Sequence, residues 1–183
     1  DLQLRLIHSA VKVIQEHLFR QGCALSQREE FQHLVFLAGQ MHRFAAHIDG
    51  LGIQIDRRGD ELTAILPFAD KLIGNPALPA IHGGVTAAFL EVTAIMELSW
   101  AMIWEDMEAG KVTDDAPRIK LPKTVDFTVD YLRSGLPRDA YARARVNRSG
   151  RRFASVHVEA WQDNRTRLFA QGTGHFLMPE RNG

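Results

Sequence analysis

From Val85 to Trp104 the chain is almost continuously apolar, and Glu91 and Glu97 are its only charges. The stretch has nearly the length of a membrane span, but a carboxylate near the bilayer centre costs on the order of 3 kcal/mol, and here there are two. A buried helix is the better reading. From Gly84 to about Met107 the apolar residues cover nearly every side of that helix, which a surface helix does not do. The fold must therefore enclose it. The question is why Glu91 stands among Phe89, Leu90, Val92 and Ile95, where a core favours leucine.

The material for an enclosure follows the helix. Val125, Phe127, Val129 and Tyr131 alternate with Thr124, Asp126, Thr128 and Asp130, the period of two that marks a strand. The segment YARARVNRSGRRFASVHVEAW predicts two more strands around a Ser149-Gly150 turn, and RLFAQGTGHFLM predicts the last. Ahead of the helix, GIQIDRRGDELTAILPF reads as two strands around a turn at Gly59, followed by a Pro/Gly-punctuated loop. Further upstream, Leu4, Ile7, Val11, Ile14 and Leu18 keep helical spacing, as do Phe31, Leu34, Val35, Ala38 and Met41. Ser26 and Glu29 have capping-box spacing at the start of this second helix, which ends near Gly50 or Gly52. The expected class is α+β: an antiparallel sheet around one long helix, preceded by two additional helices. We divide the chain at residue 48, with a helical extension over 1–48 and one domain over 49–183.

With 183 residues, 45% apolar and 24% charged, the chain is of ordinary globular composition and sufficient for one well-buried core. The single Cys23 cannot form an internal disulfide, and no Cys/His group has zinc-ligand spacing. A reduced cytoplasm is the natural setting, and no metal is expected. The first helix is interrupted by charge, unlike a signal peptide. Net charge is zero but uneven: residues 1–132 hold 12 basic and 18 acidic side chains, residues 133–183 hold 10 and 4. The basic part suits a polyanionic ligand or a solvated strand face. Nucleic acid is disfavoured, because surface aromatics do not interleave with the basic residues. Membrane binding is disfavoured by Glu16, Glu29 and Glu30, which dilute the positive charge of the first two helices.

The order of elements, with NP…HGG……E at the helix start, TVDFTVDYLRSG after it and V.RSGRR.A.V.VEA……LFAQG.G.F to close, resembles the hotdog-fold acyl-CoA thioesterases of the phenylacetate-degradation (PaaI-like) type. The resemblance covers about residues 45–178. It implies hydrolysis of an acyl-CoA to free acid and coenzyme A, with no cofactor, since coenzyme A is part of the substrate.

Each need of that reaction has a candidate. The backbone N–H groups of Gly83 and Gly84 open the helix, unpaired and at the positive end of its dipole, and are expected to form an oxyanion hole. Glu91 either attacks the carbonyl to give an anhydride or activates a water, and the sequence does not choose. His82 either orients the thioester or hydrogen-bonds the loop. Asn75 resembles the loop amide that positions the carboxylate or water in relatives, and Thr124 matches their Ser or Thr near the nucleophile. Arg148, Ser149, Gly150, Arg151 and Arg152 form the turn where relatives often contact the nucleotide of coenzyme A. Glu97 has no role in the pattern and is read as surface.

Geometry then constrains the assembly. Gly83 and Glu91 are about 12 Å apart along one helix, at roughly 1.5 Å per residue, yet both groups must reach one carbonyl. Two chains per site are therefore expected, in a dimer, with a dimer of dimers implied by the resemblance alone. There are departures: relatives with Glu often place a hydroxyl one turn beyond it, where this chain has Ile95. That weakens assignment to an aromatic-acyl subgroup and motivates an alternative, a non-catalytic acyl-CoA-binding or assembly module of the same fold.

Overall fold

The computed structural model describes residues 50–109 and 121–179. The expected extension over 1–48, including Cys23, and most of the polar connection before β5 lie outside the described residues. Gly50 and Leu51 are helical and Gly52 leaves the helix at φ 71°, in agreement with the expected end of the upstream helix.

Strands β1 (Gln54–Arg58) and β2 (Glu61–Leu66) form a hairpin, and Gly59 supplies the positive φ of 66° that its turn needs. Inside the Pro/Gly loop the structure finds two short strands that pair with each other, β3 (Ile73–Asn75) and β4 (Ala80–Ile81). Their lengths are too small to produce a periodic signal. The long helix α1 follows (Gly83–Glu108), then β5 (Lys123–Tyr131), β6 (Ala140–Ser149), β7 (Phe153–Trp161) and β8 (Ala170–Leu177). Six strands make one antiparallel sheet in the order β1-β2-β6-β7-β8-β5, leaving β1 and β5 at its edges.

The sheet wraps α1, which packs against β2, β5, β6, β7 and β8. Phe89, Leu90, Val92, Ala94, Ile95, Met96, Leu98 and Trp100 are all buried, so the helix is enclosed as its all-round apolar pattern demands. Each large side chain so buried contributes about 1.5–3 kcal/mol. The sheet meets it with small residues, Ala140 and Ala142 on β6, Ala154 and Ala160 on β7, Ala170 on β8. Gly172 and Gly174 leave room for the Phe127 ring, since a Cβ at either would lie within 2.8 and 2.5 Å of it. The buried hydroxyls of Thr93 and Ser99 donate to the carbonyls of Phe89 and Ile95, one turn back, which satisfies them inside the core. The segment Gly83–Glu105 is long and apolar enough to cross a membrane, but here it is the core helix of the sheet.

Candidate active site

The loop before α1 is held tightly. Ile81 N–H donates to the Gly135 carbonyl and His82 N–H to that of Leu72, each at 2.8 Å, so His82 enters the helix from a fixed backbone. Gly74 permits this: a Cβ there would lie 2.7 Å from His82 Cδ2 and 2.9 Å from its Cα. His82 then caps the helix, with Nδ1 accepting from Gly84 N–H at 2.9 Å.

This corrects one expectation. Gly84 N–H is not free, because the imidazole folds back over the first turn and takes it. The N–H of Gly83 has no acceptor among the described residues. The carbonyl of Gly83, in the peptide that carries Gly84 N–H, accepts from Tyr131 Oη at 2.9 Å.

Glu91 lies in the middle of α1, half-buried between buried Leu90 and Val92. Its Oε1 accepts from Thr124 Oγ1 at 2.6 Å, a short bond of the kind a carboxylate makes. The two residues expected near each other are thus in contact within one chain. The cause is a β-bulge. Thr124 pairs with Phe176 but Asp126 with His175, so Val125 is the extra residue and the alternation changes phase there. Thr124 turns toward α1, Val125 is 59% exposed, and Asp126 faces outward to bond His175 Nδ1 at 3.0 Å.

Among the described residues of one chain, no hydrogen bond joins Asn75 to Glu91. Asn75 Oδ1 accepts from Ala77 N–H at 3.0 Å, closing the exposed β3–β4 turn. The turn between β6 and β7 is exposed from Arg148 to Arg152, and the Gly150 N–H and Phe153 carbonyl close it at 2.8 Å. Ser149, Gly150, Arg151 and Arg152 rim a groove of about 1030 Å³ whose floor includes Leu98, Met102, Val146 and Leu177. A basic rim above an apolar floor is suited to a ligand with an anionic head and a hydrocarbon portion.

Glu97 is not on the surface. It is half-buried, and burial together with the charges of Asp60 and Glu61 pushes its pKa from 4.5 up to about 7. The β1–β2 hairpin covers this face of α1, which helical spacing alone does not reveal. Tyr131 and Gly74 were likewise missed: one reads as an ordinary alternating strand residue, the other as loop punctuation.

The sheet wrapped round one long helix is a hotdog architecture, and that helix carries a half-buried carboxylate and a capped glycine-rich start. Residues 75–177 match the acyl-CoA thioesterase N-terminal domain family. The chain is 31% identical over 130 residues to the medium/long-chain acyl-CoA thioesterase YigI of Escherichia coli K12, covering 67% of this chain and 80% of that one. A solved Chromobacterium violaceum structure is similar at 30% identity and TM-score 0.54, covering 81% of this chain and 97% of that chain. A phenylacetic acid degradation-related protein of Ralstonia eutropha JMP134 shares the fold at 23% identity and TM-score 0.54, over 73% and 89% of the two chains. The chain belongs to the acyl-CoA thioesterase family. It is a thioester hydrolase of the hotdog fold.

Proposed function

We propose that this protein hydrolyses acyl-CoA thioesters to the free acid and coenzyme A, and that Glu91 carries the reaction. The observation that carries the reading is the Glu91–Thr124 hydrogen bond of 2.6 Å, which holds one oxygen of a half-buried carboxylate and leaves the other to react. As general base, Glu91 takes a proton from water while the water oxygen bonds to the acyl carbon. The C–S bond then breaks, and the thiolate recovers a proton from Glu91. As nucleophile, it bonds to the acyl carbon directly, expels the thiolate, and the resulting anhydride is hydrolysed. Both routes build negative charge on the thioester oxygen, which the free Gly83 N–H at the positive end of α1 would stabilise.

Gly83 and Glu91 sit on one helix, about 12 Å apart along its axis, so the donor and the carboxylate that meet at one carbonyl come from two chains. The edge strand β5 supports such a pairing. It is an edge of the described sheet, and its Val125 is 59% exposed there, a surface that a second copy would cover. The arginine-rimmed turn, Arg148 to Arg152, takes the phosphates of coenzyme A. No separate cofactor is needed. The name of the E. coli relative favours medium to long acyl chains, and the single cysteine favours a reduced cytoplasm.

The test is thiol release from short, medium, long and aromatic acyl-CoAs by wild type and by Glu91→Gln. Turnover on at least one class, abolished by the substitution, is expected. Tight acyl-CoA binding without hydrolysis, indifferent to Glu91→Gln, would favour the non-catalytic module instead.

A further inference from the structure

The peptide between Gly83 and Gly84 is held at both ends. Its oxygen accepts from Tyr131 Oη and its N–H donates to His82 Nδ1, both at 2.9 Å. The imidazole contact caps an orphan N–H of the first turn, but the tyrosine contact is not required by the helix. Orphan groups at a helix start are N–H donors, whereas the carbonyl of a first-turn residue already has an acceptor role inside the helix. Nor does burial explain the tyrosine, since Tyr131 is 56% exposed. An exposed side chain is fixed on a backbone oxygen that has no need of it.

The chemical consequence falls on the imidazole. A nitrogen that accepts from a backbone N–H carries no proton, so neutral His82 is held as the Nε2–H tautomer. Tyr131 strengthens that choice. Donation to a peptide oxygen polarises the peptide and makes its N–H a better donor, and hydrogen bonds in series reinforce one another. Gly74 and Gly84 let the ring lie close against the backbone, since a Cβ at Gly84 would come within 3.0 Å of Nδ1 and one at Gly74 within 2.7 Å of Cδ2.

We infer that Tyr131 is a positioning residue of the thioester site: acting through the Gly83–Gly84 peptide, it holds exposed His82 as an Nε2–H donor to the substrate carbonyl. The inference rests on the thioesterase reading above and deepens it. Gly84 N–H serves the imidazole rather than the substrate, and the oxyanion is met by Gly83 N–H and His82 Nε2–H.

The experiment pairs kinetics with long-range proton–nitrogen NMR of the His82 ring, assigned through His82→Gln, at a pH where the ring is neutral. The wild-type ring is expected to show an unprotonated Nδ1 and a protonated Nε2. In Tyr131→Phe, which removes only the hydroxyl, the two tautomers are expected to mix, and kcat on the preferred acyl-CoA to fall roughly three- to tenfold with KM little changed. A wild-type ring protonated at Nδ1 overturns the inference, whether or not the variant folds. So does a folded Tyr131→Phe protein with unchanged tautomer and turnover. A wild-type protein with the expected tautomer that hydrolyses no acyl-CoA overturns the thioesterase reading instead.

Discussion

Thr124 Oγ1 donates to Glu91 Oε1 at 2.6 Å, across 33 residues of sequence and through a strand that changes phase at Val125. The bond gives the carboxylate one fixed oxygen. Thr124→Val keeps the shape and removes the donor, and a hydrogen bond to a charged group is worth about 1.5–3 kcal/mol. We expect kcat to fall roughly 10- to 100-fold with KM near wild type, and Thr124→Ser to recover most of it. Glu91→Gln is expected to lose orders of magnitude in kcat without lowering Tm. Steady-state kinetics and thermal melts on the three variants check this.

Gly74 makes a sharper structural prediction. Its Cβ in Gly74→Ala would meet the backbone Cα of His82 at 2.9 Å, which no rotamer change relieves. We expect a loss of about 1–3 kcal/mol in stability together with reduced turnover, because the strand that supports His82 must move. Gly150→Ala, whose Cβ would meet only the Phe153 carbonyl oxygen at 3.4 Å among the described residues, serves as the control and should leave stability nearly unchanged.

What the sequence made legible follows from periodicity. The core helix is apolar on all sides and the strands alternate strictly, so α1, the Gly59 and Ser149-Gly150 turns and the enclosing sheet could be read directly. Glu91 was legible for the same reason, as a charge where the pattern demands none. The phase change at Val125 was not, because a bulge preserves composition and shifts only the facing of side chains. The Tyr131–Gly83 bond spans 48 residues and depends on where β5 ends relative to the helix start. Glu97 was misread because its environment is supplied by a hairpin remote in sequence, whose Asp60 and Glu61 raise its pKa. Pairing of Gly84 N–H depends on a rotamer of His82, which spacing does not specify.

The arginine turn predicts a salt-sensitive KM. Replacing Arg151 and Arg152 by Ala removes two cations from the rim of the groove. We expect KM for acyl-CoA to rise with kcat nearly constant, and its dependence on ionic strength to flatten. An acyl-pantetheine substrate without the nucleotide should be indifferent to the same substitutions.

Glu97 predicts a pH dependence of stability. Its folded pKa of about 7 lies above the ordinary 4.5, chiefly through burial, so the folded state binds this proton more tightly than the unfolded one. The resulting stability is fully present below pH 4.5 and is lost as pH rises through 7. Glu97→Gln removes the dependence. Above pH 7 the variant should be more stable than wild type, by on the order of 1–3 kcal/mol, and the gap should close toward pH 5. Denaturant unfolding of both proteins between pH 5 and 8 measures the difference directly.

The shared site has the most demanding test. Glu91→Gln leaves the helix start intact, and Gly83→Val leaves the carboxylate intact while placing a side chain where the carbonyl must approach. Each chain alone should be nearly inactive. Mixed under conditions that allow exchange, half of the dimers contain one chain of each kind, and in these one site takes Gly83 from the first chain and Glu91 from the second. That site is complete. Activity should therefore return to about a quarter of wild type at equal concentrations. Mixed dimers detected by native mass spectrometry without any recovered turnover would mean that donor and carboxylate act within one chain. The roughly 12 Å between them along α1 would then have to be bridged by another donor.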